Sequence, residues 1–192
     1  MYESLDQVAR DVAACTKCSL HKSRFKAVPG EGPPDARVMF IGEGPGHHEN
    51  QQGRPFVGPA GQFLEDLLKL AGLKRSEVFI ANVVKCRPPG NRDPEPEEIA
   101  ACAPYLDAQV ALIRPLVIVT LGRYSMAKFF PNEKIGKIHG QARKIGGVYC
   151  FAMYHPAAAL HQPALKKTIE DDMRKLPAVL AKAEAEGRRG VP

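Results

Sequence analysis

Two groups of residues in this 192-residue chain have the types and spacing to do chemistry. Cys15-Thr16-Lys17-Cys18 is a C-x2-C pair, and Cys86 and Cys102 follow far along the chain. Four thiolates can close a tetrahedral zinc site or hold a [4Fe-4S] cluster, and the spacing alone does not choose between them. The fifth cysteine, Cys150, sits inside an apolar run, residues 148–154, and reads as a core thiol. The second group begins in the glycine-rich stretch 42–61. Glycines 42, 44 and 46 let the backbone approach a ligand closely, and a helix opening after Pro59 would offer amide hydrogens to an anion. Glu43 and Glu49 lie in that stretch with Phe56, while Asn82 and His155 stand farther along.

These residues need a frame. Ser4 to Gln7 has capping-box spacing, and Leu5, Val8 and Val12 share one helical face up to Cys15. Residues 37–42, 78–84, 116–121 and 148–154 read as buried strands. Helices are predicted near 62–71, ending at Gly72, and over 97–113, 122–130 and 164–183. Strands alternating with helices predict an α/β fold, a three-layer α/β/α sandwich around a central, mostly parallel four-stranded sheet, with a cysteine-bearing loop region beside it. Ligands of such sheets bind at the carboxyl ends of the strands, where Glu43, Asn82, Gly122 and His155 fall. One domain over residues 1–184 is expected, with a loose basic tail at 185–192.

Composition narrows the class. Hydrophobic residues at 44% and charged residues at 25% exclude a disordered, collagenous or coiled-coil chain. No apolar run is long enough to cross a bilayer, and the N-terminus lacks the layout of a secretory signal. A cytoplasmic location follows as an expectation, and with it cysteines that serve as ligands or core residues instead of disulfides. The formal net charge of +6 is skewed, because residues 121–192 carry 13 basic and 6 acidic groups. Such a surplus suits contact with an anionic polymer.

With its flanks, the glycine-rich stretch becomes specific. Gly42-Glu43-Gly44-Pro45-Gly46 with Glu49, then Gly53-Arg54-Pro55-Phe56-Val57-Gly58, resembles the first motif of the iron-sulfur uracil-DNA glycosylases, family 4. Asn82-Val83-Val84-Lys85-Cys86-Arg87-Pro88-Pro89 resembles the second block and His155-Pro156-Ala157 the closing one, so the likeness runs along nearly the whole chain. The resemblance implies that Cys15, Cys18, Cys86 and Cys102 ligate a [4Fe-4S] cluster. It also implies a monofunctional DNA-repair enzyme, without a lyase step, that flips uracil from single- or double-stranded DNA and hydrolyses its glycosidic bond as a monomer.

Under that resemblance Glu43 and His155 are the catalytic pair. Gly44, Glu49, Phe56, Asn82 and His155 would hold uracil, Phe56 by stacking and Asn82 by its carboxamide. Leu160 is the candidate wedge filling the space the base leaves, and Lys85, Arg87 and His139 the candidate DNA-backbone contacts. His47, His48, Asn50 and His139 depart from the family pattern, where acidic residues or Arg-Gly are expected. A DNA-trapping relative carries a histidine in an insertion after the second strand. Residues 88–94 have neither, so turnover is expected. Two alternatives remain at this stage: a broader family-5-like glycosylase of deaminated bases, and a non-catalytic iron-sulfur module that binds DNA or senses redox state.

Overall fold

A computed structural model describes residues 1–187. The N-terminal helix α1 (Leu5–Ala14) is capped by the Ser4 hydroxyl, which accepts from the Gln7 amide at 3.2 Å. The chain then alternates: β1 (Val38–Gly42), α2 (His47–Gln52), α3 (Pro59–Leu70), β2 (Phe79–Asn82), α4 (Pro96–Ile113), β3 (Val117–Leu121), α5 (Arg123–Phe129), α6 (Ile135–Ile138), β4 (Ala142–Ile145) and β5 (Val148–Met153). Three helices close it: α7 (Ala157–His161), α8 (Leu165–Met173) and α9 (Leu176–Glu186).

The sheet has five strands in the order β2-β1-β3-β5-β4, so the four-stranded expectation falls short by one. Its first four members run parallel, and β4 joins antiparallel to β5 across Gly146 and Gly147, both at positive φ. Strand β4 escaped notice because its side chains are solvated: Ala142, Arg143 and Lys144 are exposed, and no buried face imprints a pattern. Every residue of β1, β2, β3 and β5 is buried, as a sheet covered on both faces requires.

Alternation along the strands divides the core. Val38, Phe40, Val117, Val119, Phe151 and Met153 pack with α3, α8 and α9, while Met39, Ile41, Ile118, Cys150 and Ala152 pack with α4 and α5 on the other face. Cys150 is the expected core thiol, and burial pushes its pKa up to about 12. A third cluster joins α1 to α4 through Val8, Val12, Leu20, Val84 and Tyr105, with Cys86 and Cys102 in it.

The predicted last helix is two helices, broken at Arg174 and Lys175 ahead of Pro177, a first-turn residue of α9. Of the predicted tail, Ala185 and Glu186 close α9, where Glu186 accepts from the Tyr149 hydroxyl at 2.7 Å, and residues 188–192 lie outside the described part. Among the described residues no helix is long and apolar enough to cross a membrane.

Candidate active site

The carboxyl ends of the parallel strands meet at a cleft of about 580 Å³. Glu43, Gly44, Glu49, Asp93, His155 and Leu160 line it, so segments distant in sequence converge there. Pairing of β1 with β2 continues past the strands, with Val83 and Val84 amides donating to the Gly42 and Glu43 carbonyls at 3.0 and 3.1 Å. That ladder sets Asn82 beside Gly42 and ties Glu43 to Val84.

Glu43 is pressed from two directions. Burial and then the Asp93 carboxylate raise its pKa from 4.5 to about 7, against the opposing Arg123 guanidinium and the Arg123 and Tyr124 amides at the start of α5. Gly122 makes the approach possible: its φ is +93°, and a Cβ there would lie 2.2 Å from Glu43 Oε1. His155 accepts the Ala157 amide at Nδ1, 3.0 Å away. In the neutral ring the proton therefore sits on Nε2, and burial holds the pKa down at about 4, so the ring is neutral at pH 7.

Phe56 takes φ +50°, fixed by Arg75, which donates to the Phe56 carbonyl at 2.8 Å and to the Pro55 carbonyl. Its ring is stacked on His155 with centroids 5.4 Å apart. A side chain at Gly42 would strike both Asn82 Oδ1, at 2.5 Å, and the Phe56 ring, at 2.6 Å, so ring and carboxamide meet over that glycine. Asn82 is 2% exposed, and its Oδ1 is buried with no hydrogen-bond partner among the described residues. An orphaned buried acceptor costs roughly 1–3 kcal/mol and calls for a donor from outside the chain.

The Glu49 carboxylate lies between Gly46 and Gly58, whose Cβ positions would be 3.6 and 3.4 Å from its oxygens. Leu160 stands on α7 at the rim, 52% exposed. The Arg87 guanidinium donates to Asn91 Oδ1 at 2.7 Å, and His139 Nδ1 lies 2.6 Å from buried Asp172.

Lys85 corrects the expectation of a DNA-backbone contact. It is 1% exposed, and its Nζ donates to the Asn82 carbonyl at 3.0 Å and to Gln109 Oε1 at 2.7 Å. A phosphate has no path to it; the ammonium instead braces the turn that presents Asn82. Sequence reasoning passed over Arg123 and Asp93, which pair with each other and set the field at Glu43. Gly122 directly after a strand was the available signal for them.

Cys15, Cys18, Cys86 and Cys102 line one pocket between α1 and α4. Sulfurs there already receive donors: Arg24 Nη1 and the Lys85 amide reach Cys86 and Cys102 Sγ at 3.3 Å each, and the Lys17 amide reaches Cys15 Sγ at 3.5 Å. Among the described residues no three His, Cys, Asp or Glu side chains close on a single metal ion. The four thiols thus share one pocket, with N–H groups turned toward three of the sulfurs.

The family model "Uracil DNA glycosylase superfamily" matches residues 29–176. A protein named type-4 uracil-DNA glycosylase from Saccharolobus solfataricus is 49% identical over 189 residues, 93% of this chain and 88% of the relative. Proteins of the same name from Sulfurisphaera tokodaii and Archaeoglobus fulgidus are 48% and 43% identical, covering 91% and 95% of this chain and 84% and 96% of their own lengths.

Proposed function

The chain belongs to the uracil-DNA glycosylase superfamily as a type-4 member, a hydrolase of the N-glycosidic bond in base excision repair, and on that premise we propose how its cleft does the work. The observation that carries the assignment of roles is the unpartnered, buried Asn82 Oδ1 beside the Phe56 ring. Uracil N3–H supplies the missing donor, and the Asn82 amide nitrogen donates to uracil O4. Cytosine presents an acceptor at N3 and an amine at position 4, so the same amide leaves two mismatched groups and rejects it. Thymine is excluded by shape, with Glu49 standing against the edge where the methyl group would enter. Phe56 and His155 form the wall, and Gly44 lets the loop close in.

Bond cleavage places negative charge on uracil O2 and positive charge on the sugar. His155 donates from Nε2 to O2, an oxyanion-type contact worth roughly 2.7–4 kcal/mol where such donors have been removed elsewhere. Glu43, with a pKa of about 7, is tuned to accept a proton from the attacking water and to face the cationic sugar. Leu160 fills the vacated stack, and Arg87 and His139 face phosphate.

Cys15, Cys18, Cys86 and Cys102 would hold a [4Fe-4S] cluster, with Arg24 and the Lys85 amide donating to the ligating sulfurs. When bound, such a cluster supplies a cross-link between the N-terminal helix and the segment behind Asn82, not a step of the hydrolysis.

One assay tests the reading. Oligonucleotides carrying uracil, hypoxanthine or only normal bases are incubated with the protein and abasic sites are cleaved with alkali. Scission of the uracil strand alone is expected, reduced about 100-fold by Asn82→Ala through loss of two hydrogen bonds of ~1–1.5 kcal/mol each. Equal scission at hypoxanthine would point to a broader pocket, and none at uracil would refute the assignment.

A further inference from the structure

Among the large apolar side chains of the described residues, Phe25 is an exposed one that the cleft does not use: it is 65% exposed. Its surroundings are not those of a loose loop. Its amide donates to Asn50 Oδ1 at 2.9 Å, and the Lys26 amide donates to the Asn50 carbonyl at 3.1 Å. On either side, the Arg24 guanidinium grips the Cys15 and Ala13 carbonyls at 2.7 and 2.9 Å, and the Val28 amide donates to the Lys85 carbonyl at 2.7 Å. The backbone is pinned while the ring points into water, an arrangement that suits presentation of the ring.

Charge identifies what it is presented to. Between Asp11 and Glu31 the chain has four Lys or Arg residues and no acidic one. Lys26 extends beside the ring, its Nζ 6.0 Å from the centroid, and Lys22 closes the short 3-10 turn just before it. An apolar ring among cations matches the face of a base on a phosphate backbone better than an apolar protein surface, which would strand the lysines.

Position relates this surface to the cleft. Asn50 belongs to α2, whose preceding residues His47, His48 and Glu49 line the cleft.

We propose that Phe25, with Lys22 and Lys26, is a second DNA-contact surface, on which a base of the uracil-bearing strand stacks outside the cleft that takes the flipped uracil. It rests on the glycosylase reading above. Bases in a duplex are already stacked, so the surface serves single-stranded DNA.

The chain has no tryptophan, so Phe25→Trp installs a lone reporter on a solvated ring position. Titration with a uracil-free single-stranded oligonucleotide, binding being followed in parallel by anisotropy of the labelled DNA, should change the tryptophan emission in step with occupancy. Phe25→Ala and Phe25→Leu should each weaken single-strand affinity about 5-fold or more while leaving duplex affinity within about 2-fold. Unchanged emission at saturating DNA, or equal affinity of the Ala variant and the wild type for single strands, would overturn the proposal and assign the ring to another partner. Uracil excision by the wild type is scored separately. Excision with silent tryptophan sinks this inference alone, and responsive tryptophan without excision sinks the glycosylase reading and with it the placement beside a flipped uracil.

Discussion

Replacing Glu43 by Gln should make the protein more stable and less active, with the two effects separated by pH. The carboxyl is buried beside Asp93, and its pKa stands at about 7 instead of 4.5. The folded state therefore favours the protonated form. Below pH 4.5 the group is neutral whether the chain is folded or not, and it costs nothing. Between 4.5 and about 7 the unfolded chain ionises while the native one resists, so stability falls as pH rises and the loss is complete above 7. At about 1.4 kcal/mol per pH unit, that rise in pKa amounts to about 3 kcal/mol. The amide has no charge to bury, and its oxygen can still accept the Arg123 and Tyr124 amides. Thermal midpoints of wild type and variant, taken at one scan rate from pH 4 to 8.5, should coincide at the acid end and diverge to roughly 6–12 °C in favour of the variant by pH 8. Excision should collapse in the same variant. A midpoint difference that does not change with pH, or a variant that keeps full single-turnover cleavage, would refute the reasoning.

The single-turnover rate of the wild type should climb about tenfold per pH unit up to about 7 and then level, as Glu43 loses its proton. His155, neutral above about 4, should add no second break between pH 5 and 9. Gly122→Ala combines a φ of +93° with a Cβ 2.2 Å from Glu43 Oε1, and displacing that carboxylate by about 1 Å should slow excision about 100-fold with substrate binding little altered in a gel-shift titration. Leu160→Ala should slow excision from duplex more than from single-stranded substrate, and an equal loss on both would count against a wedge.

The strands of the parallel core were legible because their residues are continuously apolar, and their ends located the site: Glu43, Asn82, Gly122 and His155 all stand where strands finish. Where reading failed, the deciding partner was distant or the solvent was the partner. Lys85 looks like a surface cation, but Gln109, 24 residues away, and the Asn82 carbonyl satisfy its ammonium indoors. Strand β4 has no buried face to announce it, and α2 hides in a glycine-rich stretch because Gly46 and Gly53 only bound it. The field at Glu43 depends on Asp93 and Arg123, brought together by the sheet, so its magnitude could not be read from neighbours in sequence.

The strand missed at the margin also guards one of the sheet's two open edges. A sheet offers unpaired backbone only at its two edges. At one, Glu31 exchanges both backbone hydrogen bonds with Ile80 of β2, at 2.9 and 2.8 Å, and glycine at 32 lets that segment lie flat, since a Cβ there would come 2.3 Å from the Val78 carbonyl oxygen. At the other, β4 presents Arg143 and Lys144, each tied to a glutamate, Glu133 and Glu186. Neither edge is an inviting template for another copy's strand. A strand from another molecule docking at either edge would have to displace the Glu31–Ile80 bridge or accommodate the charged Arg143 and Lys144 side chains, and the sheet is thereby guarded at both margins.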